Sequence, residues 1–266
     1  MTDPTIAPAP APAPGPATPS GRRPGRHVSP ITGIALVYRI VLRQLVSRGR
    51  IIALGLLALL APVAGFAIGA SDSASTEDAV RLIAGLGFAV VIPVVALVFG
   101  TAAIGDLRDD KTLVYLWLRP LDRWPVVVGA ALAALTIVAP LTLIPVVAAA
   151  ALTGVGNGIV GATLLAGIVG VVAYVAVFTF FGVALRRSTV WGLAYILIWE
   201  GFIAQGGAGV ARFALRKYTR SILVERTGVE LDLADFSLVI GIVIPLVVAV
   251  IAVVLASLRL SRLDVD

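Results

Sequence analysis

The densest group of chemically capable side chains lies in residues 105–124, GDLRDDKTLVYLWLRPLDRW, where four acids and four bases stand between two uncharged stretches. Leu113, Leu116 and Trp117 share one side of a short helix that Pro120 would stop. Asp109 or Asp110 ahead of Thr112 favours the start of that helix electrostatically. Such an element is too polar to insert into lipid and is suited to docking in a partner's groove. A solvated loop whose charges only set topology is the other reading. Glu200, embedded in apolar sequence, also has two readings. It is a substrate-path or outer-gate residue, or a carboxylate at the outer interface that reaches water or pairs with Arg212 or Arg216. Catalytic machinery is not visible. No GxxxxGK followed by Ser or Thr occurs, and Lys111 and Lys217 follow no glycine-rich loop. Cysteine is absent and His27 is the single histidine, which excludes thiolate chemistry and sites that need two imidazoles. No paired carboxylates, Ser/Lys pair or His/Glu motif falls within an apolar segment at helical spacing. Catalytic, cofactor-binding and metal-binding residues are therefore expected to be none.

The elements that must position these residues are apolar and long. The chain of 266 residues is 59% hydrophobic and 14% charged. Soluble domains are nearer half and a quarter, so the expectation is an all-α polytopic membrane protein. Residues 51–70, 82–105 and 237–258 carry no charge, and each reaches the roughly 20 residues needed to cross a hydrocarbon core. The wholly uncharged stretch 124–185 divides at TGVGNG (153–158) into spans near 126–152 and 159–185, because three glycines and an asparagine favour a turn. A shorter segment, 189–204, carries Glu200 and brings the expected number to six transmembrane helices. Pro93, Pro140, Pro145 and Pro245 fall inside spans, which a bundle tolerates when neighbouring helices satisfy the freed carbonyls. Ala61, Gly65 and Gly69, and likewise Ala162, Ala166 and Gly170, put small residues on one face; close helix approach and compositional coincidence both account for them.

Basic residues set the orientation. With the N-terminus inside, Arg39, Arg43, Arg48, Arg50, Arg108, Lys111, Arg119, Arg123, Arg186, Arg187, Arg259 and Arg262 fall on the cytoplasmic side, together with Arg22, Arg23 and Arg26. Arg81, Arg212, Arg216, Lys217, Arg220 and Arg226 remain outside, so the bias exceeds two to one and both termini are expected in the cytoplasm. Residues 1–30 form a Pro/Ala-rich tail, PAPAPAPGPATP, that cannot build a core. Residues 31–266 make the membrane domain. Within 32–47, Ile34, Val37, Tyr38, Val41, Leu42 and Leu45 recur at three- and four-residue spacing while Arg39 and Arg43 take another face. That pattern predicts an interfacial amphipathic helix, with a break at Gly49 before the first span. The segment 205–236 interleaves Phe213, Leu215, Tyr218 and Ile222 with Arg212, Arg216, Lys217 and Arg220, an outer amphipathic segment.

The 105–124 stretch resembles the cytoplasmic signature of ABC transporter permeases of the type-2 integral-membrane class. Asp106 and Asp109 stand at its acidic positions and Thr112, Leu116, Pro120 and Arg123 at the others, while Lys111 replaces the usual glycine. AYVAVFTFFGVALRRS (173–188) and ILIWEGFIAQGGAGVARFALRKYTRSI (196–222) resemble the fourth span and the end of the fifth in the subgroup named after permeases for multicopper-enzyme maturation. The resemblance implies a six-helix permease subunit of an exporter-type transporter in a bacterial cytoplasmic membrane. It pairs with a second permease copy and takes ATP and Mg on a separate ABC ATPase subunit. In that scheme Asp106, Asp109, Thr112, Leu116, Arg119, Pro120 and Arg123 couple ATPase closure to the spans. The partners are then protein chains and the lipid bilayer, with no nucleic acid. An ion-coupled secondary transporter and a non-transporting membrane scaffold or immunity-type protein are the readings from other classes.

Overall fold

A computed structural model describes residues 29–109, 123–156, 158–206, 209, 212–231 and 236–262. Thr112, Leu116, Arg119 and Pro120, and the tail up to residue 28, lie outside the described residues. Every regular element among the described residues is helical.

Helix α1 (Pro30–Leu45) begins with proline in its first turn, where the missing N–H costs nothing. Gly33, Val37, Val41 and Leu45 are buried at four-residue intervals, whereas Arg39 and Arg43 are exposed. This is the amphipathic helix that the periodicity predicts. The chain breaks at Val46–Ser47 and not at Gly49, because Ser47 takes the extended N-cap conformation of α2 (Arg48–Gly69) and Gly49 lies inside that helix's first turn. Helix α1 packs across the lower part of α5 (Arg123–Leu152). A Cβ on Gly129 would stand 2.8 Å from the Ile34 carbonyl oxygen and 3.0 Å from the Val37 Cβ, so only glycine allows that approach.

Residues Thr76–Leu82 (α3) continue through a π-helical stretch, Ile83–Val91, into α4 (Ile92–Asp109). The wider turns precede Pro93, whose missing N–H frees a carbonyl in the turn before it, the setting in which irregular helix is expected. Helix α5 crosses next and ends where Gly154, Gly156 and Gly158 all take φ near +70°, the left-handed region open to glycine. This turn delivers α6 (Ile159–Ala184), the central helix, which packs against α4, α5, α9 and the polar helix α8 introduced below. The small residues Ala162, Ala166 and Gly170 are buried on it, and Ala61 and Gly65 of α2 are buried too, Gly65 against the backbone of Ala149. Close helix approach is thus the reading the packing supports at both stripes.

Among the described residues, five helices are long and apolar enough to cross a membrane: Arg48–Gly69, Thr76–Asp106, Arg123–Leu152, Ile159–Ala184 and Leu238–Ser261, the last being α9. The expected sixth, 189–204, does not form one long helix. It is α7 (Ser188–Ala194), a π-helical turn Tyr195–Glu200, and a 3-10 turn Ile203–Gln205. The Gly201 N–H bonds the Ile196 carbonyl five residues back, which rotates Glu200 away from its α-helical direction. After it, α8 (Leu215–Thr227) lies between α6 and α9, with Leu215, Lys217, Tyr218, Ser221 and Ile222 buried. Ser188 stands beside Gly105 at the end of the bundle that holds Asp106, whereas α9 starts at the other end and brings Leu260 back to Arg123. Between Ser188 and Ser237 the chain therefore passes from one end of the bundle to the other, and the interrupted segment makes the first part of that path.

Candidate functional site

Two polar clusters stand out against the apolar bundle. The first gathers at the end where α2 starts and α4, α6 and α9 finish. Both terminal nitrogens of Arg50 donate to Oδ2 of Asp106 at 3.0 Å, tying the start of α2 to the last turn of α4. Arg108 donates to the Val183 carbonyl oxygen at 3.1 Å, and Arg123 to the Leu260 carbonyl oxygen at 3.3 Å. Val183 and Leu260 lie in the last turns of α6 and α9, whose terminal carbonyls have no partner within the helix and carry the negative end of its dipole. A guanidinium at each satisfies both needs. The segment 110–122 thus leaves from a residue pair anchored on α2 and α6 and returns at a residue anchored on α9. Beside the ion pair is a polar cavity of about 140 Å³ lined by Arg50, Thr101, Asp106, Ser188 and Thr189, where the Thr101 and Thr189 hydroxyls approach to 3.4 Å.

The second cluster surrounds Glu200, which is 1% exposed. The Tyr174 hydroxyl donates to Oε2 at 2.5 Å, while the Tyr195 hydroxyl and the Leu215 N–H donate to Oε1 at 2.9 and 3.0 Å. Arg216 donates to the Glu200 backbone carbonyl at 2.7 Å. A buried carboxylate is costly unless its oxygens are hydrogen bonded, and here both are. Leu215 is the first residue of α8, so the carboxylate also meets the positive end of that helix. Tyr174 is about 15 Å from the near end of α6 and about 22 Å from the far end at ~1.5 Å per residue, which places Glu200 deep within the bundle. The carboxylate joins α6, the broken segment and α8.

With these sites laid out, comparison with known proteins is decisive for the class. The family described as ABC-2 family transporter protein matches residues 34–199, more than half of the chain. The chain belongs to this family. It is a membrane permease of the ABC transporter type, multi-pass and helical. No curated protein matches it.

For this ABC-2 permease, the matched region ends one residue short of Glu200 and includes the whole 106–123 segment. Of the segment's candidate residues, the structure brings Asp106 and Arg123 to the same end of the bundle, on α4 and α5. Asp109 closes α4. Thr112, Leu116, Arg119 and Pro120 lie outside the described residues. Glu200 neither reaches water nor pairs through its carboxylate with Arg212 or Arg216. The reason is the π-helical turn, which aims it at Tyr174 and lets the Arg216 guanidinium take its carbonyl instead. Sequence reasoning missed Arg50, Tyr174, Tyr195 and the Leu215 N–H. Arg50 had a legible signal, being a charge at the foot of one span with an acid at the foot of the next. Tyr195 had none: five residues before Glu200, it is off the carboxylate's face at α-helical spacing and reaches it only through the wider turn.

Proposed function

We propose that this chain is the membrane subunit of an ATP-driven exporter in a bacterial cytoplasmic membrane, working as a pair of permease copies with separate ATPase subunits that bind ATP and Mg. Family membership supports the permease role. The observation that carries the coupling assignment is the anchoring of the 106–123 segment at both ends, through Asp106 and Arg108 on one side and Arg123 on the other. A partner that moves this segment pulls on the foot of α2 and on the last turns of α6 and α9 together. In this reading both termini lie in the cytoplasm, which the charge bias supports. Glu200 serves in this scheme as a latch on the substrate path, holding the start of α8 while α7 and its π turn move. The test is co-purification of the full chain with its ATPase subunit and measurement of stimulated ATP hydrolysis. Arg123→Glu combined with Asp109→Arg is expected to abolish association or stimulation; if both survive, the coupling assignment is wrong.

A further inference from the structure

The outward face of the broken segment carries a groove that shares only Tyr195 with the polar clusters. It has a volume of about 440 Å³ and is walled by Phe181, Leu185, Trp191, Tyr195, Ile198 and Trp199, with no carboxylate. Its size falls within the roughly 300–1,000 Å³ of ligand pockets. From Trp191 to Trp199 it follows about 12 Å of helix at ~1.5 Å per residue, close to the roughly 15 Å that half a hydrocarbon core provides. At its foot the chain leaves α6 through Leu185 and passes directly to Arg186 and Arg187, both exposed and neither with a side-chain partner among the described residues. Trp191, one turn beyond, donates its backbone N–H to the Arg187 carbonyl.

We infer that this groove is a binding site for an anionic phospholipid of the bilayer, with one acyl chain along Phe181, Tyr195 and Ile198 and the headgroup phosphate on Arg186 and Arg187. Basic residues at the foot of an apolar cleft between membrane helices suit an acidic headgroup. A second copy of the chain seated here would find no counter-charge in the groove for its own Arg186 and Arg187, whereas a phospholipid brings one. The occupant would also bear on the deeper cluster, because the Tyr195 ring forms the wall and its hydroxyl holds Glu200. The inference rests on the chain spanning a membrane and not on the ATPase partner.

Trp191 and Trp199 report on it directly. The full chain, with W117F and W124F so that these two are the remaining tryptophans, is reconstituted in phosphatidylcholine vesicles. Each preparation contains an equal mole fraction of either brominated-chain phosphatidylglycerol or brominated-chain phosphatidylcholine. Fluorescence quenching should show enrichment of the anionic lipid by about fivefold per arginine. The excess should disappear in R186Q/R187Q, with phosphatidylcholine quenching retained, and should persist in R259Q, which removes an exposed arginine of α9. Equal quenching by the two lipids, loss of the excess in R259Q, or an excess that survives R186Q/R187Q would overturn the site. Weak quenching by both lipids would overturn it in favour of a second copy covering the groove.

Discussion

At the residue scale the two clusters ask different things of their charges. The Arg50–Asp106 pair is about one-third exposed on each side, so its contribution to stability is in the range of about 0–1 kcal/mol. Arg50→Ala should leave the thermal midpoint of the purified protein nearly unchanged, yet it frees the foot of α2 from the 106–123 segment. ATPase stimulation should therefore fall while the fold stands, and R50D/D106R should recover part of it. A midpoint that drops with R50A would mark the pair as structural. Glu200 is the reverse case. Truncation in Glu200→Ala leaves two hydroxyls and the Leu215 N–H facing a void, at a cost of about 1–3 kcal/mol for buried groups left unsatisfied. Glu200→Gln keeps an acceptor oxygen for Oε1's donors and a neighbour to which the Tyr174 hydroxyl can turn. Thermal unfolding should rank wild type, E200Q and E200A in descending order. An E200A midpoint equal to wild type would show that the carboxylate anchors nothing.

At the element scale, approach distances decide more than apolar area. Helix α1 reaches α5 only because position 129 has no side chain, and Gly129→Val would drive a methyl group into the Ile34 carbonyl. Overpacking of this kind costs about 1–3 kcal/mol, and it should appear as faster hydrogen exchange across α1 with the other spans unaffected. Gly161→Ala is the matching control. An added Cβ there meets nothing within 4 Å, and replacing a helical glycine gains about 0.5–1 kcal/mol. The four-residue recurrence of Val37, Val41 and Leu45 made α1 readable, as uncharged length made α2, α5, α6 and α9 readable and the triple glycine made the turn between α5 and α6. The segment after Arg187 was not readable in the same way. Its composition is that of a span, but the break into α7, a π turn and a 3-10 turn follows from where Glu200 finds its donors, and two of those, Tyr174 and the Leu215 N–H, are remote in the chain. The position of α8 was hidden for a related reason. Alternating arginines and apolar residues suit an interfacial helix, yet Lys217 is buried with its ammonium 4.6 Å from the centre of the Phe236 ring, a partner that no local pattern announces.

For the whole molecule, enclosure is uneven in a way that bears on assembly and topology. The most apolar stretch of the central helix α6 is 61% buried, against 17% for that of α2 and 22% for that of α9, so those two outer helices present their apolar sides to lipid or to another chain. Between α6 and α9 the chain leaves from beside Gly105, and α9 starts at the far end of the bundle before returning Leu260 to Arg123. A sixth crossing would require the chain to pass through lipid in short pieces, with the polar groups of the irregular turns met inside the protein by Tyr174, Arg216 and the start of α8. The natural sequence has no cysteine, so single introduced cysteines test this without background. In intact cells a membrane-impermeant maleimide should label Ser73→Cys and Glu230→Cys, and should spare Ser29→Cys and Arg262→Cys until the membrane is opened. If Glu230→Cys behaved like Arg262→Cys while Ser73→Cys remained accessible, the broken segment would turn back on its own side, and Glu200 would sit in a re-entrant hairpin and not on a crossing path.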